Sequence, residues 1–379
     1  MDRSTFEYSM SYKKGNDISC LPTLDQLVDS LKELQAVTPV RHLSPMHIVA
    51  SDPDKYIITR LMSGRYSIKP NISRQSFLYR GESQDYALAV PKEFRSKNND
   101  DILLANIRFN DFHNMLESHP FYRMLKNGIK LSERETIRIE NPYGMASCYG
   151  LDTLNLSFTS SLDVAAFYAV SHYDAGNNTF TQVEKEEDKP ETQVGAIYAF
   201  FLAIPFPTIL GLSSVGFIPF PHLENQRTFI FQMSRGITFQ QHQFQQKFYF
   251  RHDKEKDKVF FEKFHKGEDL TVEDEILQKA RSIVSGTEVS KTAFLKNLHD
   301  NPRDKEDVNK ERLSRLGIQI TDVDYTFNTQ ELTAYRQRMS QGYWNRFCSQ
   351  LIFEELRTKE AKEIFLDLPN NPLYTEYFR

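Results

Sequence analysis

The chain has 379 residues, enough for about two domains or one large one with an appendage, and its 40% hydrophobic, 26% charged and 13% aromatic content excludes disordered, collagenous and disulfide-stapled classes. Lys plus Arg at 47 against Asp plus Glu at 51 gives a net charge of −4, which argues against a coat for nucleic acid or anionic lipid. Cys20, Cys148 and Cys348 are too few for a disulfide framework and form no C-x-x-C pair for zinc, so a reducing, cytoplasmic setting without a metal centre is expected.

Residues 1–16 lack the apolar run of a signal peptide. From Pro22 to Glu33, Leu24, Leu27, Val28 and Leu31 recur at helical spacing, and Thr23 with Gln26 forms a capping-box pattern. Strand and loop follow between Asn71 and Arg95, with Gln75 to Arg80 alternating and Gly81 ending the strand. The spacing then predicts a helix over Ile107 to Leu125, a strand over Leu154 to Phe158, and an Ala-rich helix from Ser160 to His172. Residues 181–192 read as a charged connector.

Between Thr192 and Leu223 no residue is charged, a run long enough to span a membrane. Pro205, Pro207, Pro219 and Pro221, together with β-rich residue types, favour two buried strands joined by a Pro turn. Two or three strands are expected from Val194 to Phe239. After Gln240 the segment Arg251 to Asp269 is dense in both charge signs. Thr271 and Asp274 cap a helix reaching Ile283, and further helices run over Asp304 to Leu316 and Gln330 to Leu356. The expected organisation is therefore a domain over 1–250 and a mostly helical extension over 251–379.

Three segments carry polar groups that a core does not need. In Phe77-Leu78-Tyr79-Arg80-Gly81-Glu82, alternation separates Phe77 and Tyr79 from Leu78 and Arg80. A rigid guanidinium fork then stands at a strand end, before a Gly that admits close backbone approach. In the stretch from Leu154 to Ala169, Leu154, Leu156 and Phe158 face one way and Asn155, Ser157 and Thr159 the other, and Ser160 or Ser161 can cap the following helix. In the stretch from His222 to Gly236, Phe229 and Phe231 face inward while Glu224, Asn225 and Arg227 crowd the strand start. There is no G-x-S-x-G elbow, P-loop or H-E-x-x-H motif, and Cys148 reads as a buried structural thiol.

In this order the three segments resemble the FRG domain over roughly residues 20–240. Tyr79-Arg80-Gly81 supplies the aromatic-Arg-Gly motif, and Leu88 to Arg95 is similar to the Pro and Arg segment that follows it. Tyr149-Gly150-Leu151, Thr153 and Phe158-Thr159 resemble the central block, with Asp152, Leu154 and Ser157 where that pattern has Pro, Arg and Asp. Asn225, Arg227 and Gln232 resemble the closing Asn-x-Arg…Gln segment.

The same order is also similar to the Arg, Ser-Thr-Ser, Glu layout of mono-ADP-ribosyltransferases. That resemblance implies an α+β fold with a split β-sheet core, flanking helices and, here, a helical C-terminal region. It implies NAD as substrate, with Arg80, Thr159 and Glu224 catalytic and Tyr79, Arg80, Gly81, Ser157, Thr159, Ser160 and Gln232 binding the cofactor. Glu82 is a reserve carboxylate, and Tyr79, Tyr149, Phe158 and Tyr168 are candidates to stack nicotinamide. A carboxylate near the breaking glycosidic bond steadies the oxocarbenium-like centre. Two functions stay open: an ADP-ribosyltransferase or NAD glycohydrolase acting as a bacterial effector, toxin or antiphage defence protein, and an inactive nucleotide-sensing or interaction module. The C-terminal helices would dock a protein partner; no nucleic-acid or membrane partner is indicated.

Overall fold

A computed structural model describes residues 1–38, 47–49, 56–60, 65–70, 76–86, 88–91, 98–127, 129–130, 136–137, 141–174, 179–184, 190–202, 212–216, 220–233, 239 and 245–338. Helix α1 (Arg3–Ser11) is capped by Asp2, whose carboxylate accepts from the Thr5 amide. In α2 (Leu24–Val37) the capping box forms, with Gln26 Oε1 accepting from the Thr23 amide at 3.0 Å, and Leu24, Leu27, Val28 and Leu31 are buried. Strands β1 (His47–Val49), β2 (Tyr56–Arg60) and β3 (Arg65–Pro70) make an antiparallel meander. Strand β4 (Phe77–Glu82) continues through Gly81 instead of stopping there.

The helix expected over Ile107 to Leu125 is two helices, α3 (Asn99–Ser118) and α4 (Pro120–Asn127), meeting at His119. Pro120 has no amide hydrogen to continue the first ladder and is preorganised to open the second. Strands β5 (Ile129–Lys130) and β6 (Thr136–Ile137) complete a five-stranded sheet in the order β1-β2-β3-β6-β5. After α5 (Pro142–Cys148), β7 (Asn155–Thr159) runs into α6 (Leu162–Ala169), where Ser161 is the N-cap and accepts from the Val164 amide at 3.3 Å. The helix expected to reach His172 ends at Ala169, because His172 lies in β8 (Ser171–Asp174), paired to β9 (Thr179–Gln182).

Next come β10 (Val194–Phe201), β11 (Leu212–Ser214), α7 (Pro221–Gln226), β12 (Thr228–Gln232) and β13 (Gln245–Arg251). They are followed by α8 (Lys254–Glu262), α9 (Glu275–Ser285), β14 (Glu288–Ser290), α10 (Lys291–Asp300), α11 (Glu306–Arg315), β15 (Gln319–Thr321) and α12 (Thr329–Arg338). The stretch of the last expected helix beyond residue 338 lies outside the described residues, as do Pro205, Pro207 and Pro219. The C-terminal third carries a strand pair that the pattern did not announce: β14 and β15 are parallel, joined through α10 and α11.

The chain is thus a mixed α and β protein built on a six-stranded sheet in the order β11-β12-β7-β4-β10-β13. Strand β10 pairs with β4 on one side and β13 on the other, and its residues up to Phe200 are buried, with Tyr198 and Phe200 in one core and Ile197 and Ala199 in the other, which accounts for its uncharged sequence. No helix among the described residues is long and apolar enough to cross a membrane. One face, bearing Leu78, Phe158, Phe200 and Phe229, packs with α3, α5 and α9 through Phe112, Met115, Met145 and Ile276. The other, bearing Tyr79, Ile197 and Phe250, packs with α2, α6 and α8 through Leu31, Ala165, Phe167 and Phe261. A smaller core joins Leu103 and Ile107 of α3 to Val289, Phe294 and Leu313. Residues beyond 250 enter each of these three cores.

Gly81 explains how tightly α6 approaches the sheet. A Cβ at this position would lie 1.9 Å from the Ala165 carbonyl oxygen and 2.7 Å from the Ala169 amide nitrogen, both rigid backbone atoms. The absent side chain makes room for a helix, and Ala165 and Ala169 are the small residues that let the two backbones close. Gly81→Ala is therefore expected to lower the unfolding free energy by about 1–3 kcal/mol, read as a reduced denaturant midpoint; an unchanged midpoint would show that α6 is free to move away.

Candidate functional site

The three polar segments become neighbouring strands, β12, β7 and β4. Strand β7 matches β12 over five residue pairs, Thr228↔Thr159 to Gln232↔Asn155, and β4 matches β10 over six. Between β4 and β7 there is one pair, Tyr79↔Thr159. Beyond that pair the strands part, and a side chain bridges them.

That side chain is Arg80. Alternation puts Leu78, Arg80 and Glu82 on one face, opposite Tyr79. The guanidinium donates from Nη1 to the Ser157 carbonyl of β7 at 3.1 Å and from Nε to Glu82 Oε1 at 3.2 Å. The Arg80 side chain is 18% exposed and that of Glu82 only 2%, and Glu82 Oε2 has no hydrogen-bond partner among the described residues. A carboxylate so deeply desolvated depends on its guanidinium partner. Next to Arg80 in the register stands Tyr198 of β10, and next to Tyr198 stands Lys247 of β13. Lys247 Nζ lies 2.8 Å from Asp85, over the rings of Tyr198 and Tyr249. Burial pushes the Tyr198 phenol up to about 12.

The remaining candidates sit as follows. Tyr79 is buried in the core between the sheet and α2, its hydroxyl donating to Gln35 Oε1 at 2.6 Å, and burial raises its phenol above the ordinary value. Thr159 is also buried; its hydroxyl donates to the Gln226 carbonyl at 2.9 Å and accepts from the Ser161 amide at 3.1 Å. The face expected to present hydroxyls is thus covered by helices. Ser157 gives its carbonyl to Arg80, and its Oγ lies 3.4 Å from Ser147 Oγ. The Ser160 amide donates to the carbonyl of Arg227, which ends α7 in the left-handed region at φ 49°. Gln232 is exposed at the end of β12, paired with Asn155. Glu224 lies on α7, which Asn225 and Gln226 tie to the Asp269 and Leu270 carbonyls. The carboxylate bonded to Arg80 is Glu82, and its signal was present in the sequence: two residues apart on a strand share a face.

Of the proposed stacking rings, Phe158 packs on Phe239 in the core and Tyr168 against Phe167 and Phe180. Tyr149 instead belongs to a buried polar layer that the sequence did not reveal. Its hydroxyl donates to Asp274 Oδ2 at 2.9 Å, and its ring stacks on His222 at 4.8 Å. His222 Nε2 is 3.0 Å from the Cys148 carbonyl. Burial pushes Asp274 up to about 7 and His222 down to about 4. Burial also raises the Cys148 thiol to about 12, which leaves it un-ionised and a poor nucleophile. Among the described residues no group of three or more His, Cys, Asp or Glu could hold a metal ion. No family model, curated protein or solved structure matches the chain.

Two expectations follow from these pairings. Arg80→Ala should lower unfolding free energy by about 3–5 kcal/mol, because it strands a buried carboxylate. The loss should be much smaller in a Glu82→Gln background; equal losses in a double-mutant cycle would show that the two side chains are not coupled.

Between pH 4 and 6.5 the folded chain keeps a proton on Asp274 that the unfolded chain has lost, so this group's stabilisation falls as pH rises. Over the same window the unfolded chain carries a proton that buried His222 refuses, so that group's contribution rises with pH. The slopes, each about 1.4 kcal/mol per pH unit, oppose one another. Asp274→Asn should unmask stability that increases from pH 4 to 6.5, and His222→Gln stability that decreases; chemical denaturation across that range would reveal identical slopes if the layer does not titrate this way.

Proposed function

We propose that the chain is an FRG-type protein with an ADP-ribosyltransferase-like split sheet, and that it takes NAD or a related nucleotide at the seam where β4 and β7 part. The observation that carries this reading is the Arg80–Glu82 pair, a guanidinium fork spanning the seam beside a buried carboxylate oxygen that has no hydrogen-bond partner among the described residues. The fork suits a phosphate or ribose oxygen. Glu82, rather than Glu224, is the carboxylate suited to steady the ribosyl cation, because it already shares the arginine.

In that reaction the ribose–nicotinamide bond breaks and its electron pair leaves with nicotinamide. Water or an acceptor nucleophile then attacks the ribosyl carbon and loses its proton. Thr159 would act by shaping the seam through its bond to the Gln226 carbonyl. Such an activity fits a cytoplasmic bacterial effector, toxin or antiphage defence protein, with the C-terminal helices as a docking face for a protein partner.

The second reading, nucleotide sensing without turnover, draws on the same bonds. The Thr159 hydroxyl is committed to backbone groups on both sides, which leaves it no free donor for a substrate.

Thermal denaturation with NAD and assay of free nicotinamide separate these outcomes. At about a hundred times its dissociation constant NAD should stabilise the protein by roughly 2.7 kcal/mol, and Arg80→Lys, which keeps the charge but loses the fork, should abolish the shift. Glu82→Gln should slow NAD consumption at least about tenfold, or about 1.4 kcal/mol of barrier, with Glu224→Gln near wild type. The reverse order would return the role to Glu224, binding without consumption would favour the sensor, and no shift in the wild type would overturn the nucleotide reading.

A further inference from the structure

We propose that the buried His252–Asp257 pair is a clamp that positions Glu82 by holding the end of β4 through the Ser83 carbonyl. His252 Nδ1 lies 2.7 Å from Asp257 Oδ2 and Nε2 lies 3.0 Å from the Ser83 carbonyl oxygen, and both side chains are almost fully buried. Both ring nitrogens are engaged, and because the Ser83 carbonyl can only accept, Nε2 donates to it. Its own backbone is fixed as well: the His252 amide donates to the Gln193 carbonyl at 2.9 Å. Asp257 Oδ2 also accepts from the Asp253 amide at 3.2 Å, which ties the carboxylate to the corner between β13 and α8.

The target of the clamp is the residue after Glu82. At that end β4 has lost β7, since the two strands share only the Tyr79 pair, and among the described residues Glu82 keeps a single strand neighbour, Ala196 of β10. His252 reaches it from beyond β10, crossing at Gly195. There a Cβ would lie 2.3 Å from the Phe250 ring and 3.0 Å from His252 Nε2, so the glycine opens the passage. The clamp supplies the second support that the parted sheet withholds, and it acts on the strand end that carries the carboxylate. Its consequence for ligand binding rests on the nucleotide reading above, whereas its effect on β4 does not.

Two substitutions at one position divide the pair. The amide nitrogen of Asn can stand near Nδ1 and keep Asp257, while that of Gln can stand near Nε2 and keep Ser83. Amide hydrogen exchange over residues 77–86 is therefore expected to speed up at least about tenfold in His252→Asn, with α9 unchanged, and to stay near wild type in His252→Gln. NAD affinity should fall at least about tenfold in His252→Asn alone. Equal exchange in both variants overturns the clamp, and so does failure of both to fold, which would make the pair a general stabiliser. A wild type that does not bind NAD removes the functional consequence and leaves the exchange comparison to decide the clamp.

Discussion

The sheet is held together at its weakest point by one guanidinium. Where β4 and β7 separate after the Tyr79 pair, backbone hydrogen bonding between them ends and Arg80 spans the gap to the Ser157 carbonyl. The same group neutralises Glu82, whose buried carboxylate would otherwise lack compensation. Neither β4 nor β7 can shift without disturbing this arrangement. The geometry of the candidate site and the continuity of the six strands are therefore one constraint seen from two sides.

Where the chain's pattern is local, the elements can be read from it. The apolar spacing of α2, its capping box, the Asp274 cap and the alternation in β4 all depend on residues within a turn or a strand of each other. Signals that need a distant partner are illegible. Gly81 looks like a strand end with space beside it, and only the packed fold shows that the space belongs to Ala165, more than eighty residues further along the chain. His172 has helical neighbours on one side, yet pairing with Thr181 draws it into a strand.

The candidate site divides along the same line. Arg80 and Glu82 lie two apart on a strand, so their shared face follows from the pleat alone. The fate of Thr159 does not, because its acceptor is the carbonyl of Gln226 and nothing in either segment announces that bond. The layer of Tyr149, His222 and Asp274 is less legible still, since it joins side chains 125 residues apart. A hydroxyl beside a helix start reads equally well as a ligand contact or a cap, and tertiary structure makes the choice.

The threading of the C-terminal third through the cores bears on how the protein is made. A nascent chain that has emerged only as far as β13 can pair its six central strands, yet one face still lacks Ile276 and Ala280 and the other lacks Phe260 and Phe261. Those apolar surfaces stay open to solvent, and to other unfinished chains, until α8 and α9 leave the ribosome. Closure of α8 and α9 against the sheet is then the step that protects the newborn polypeptide from aggregation.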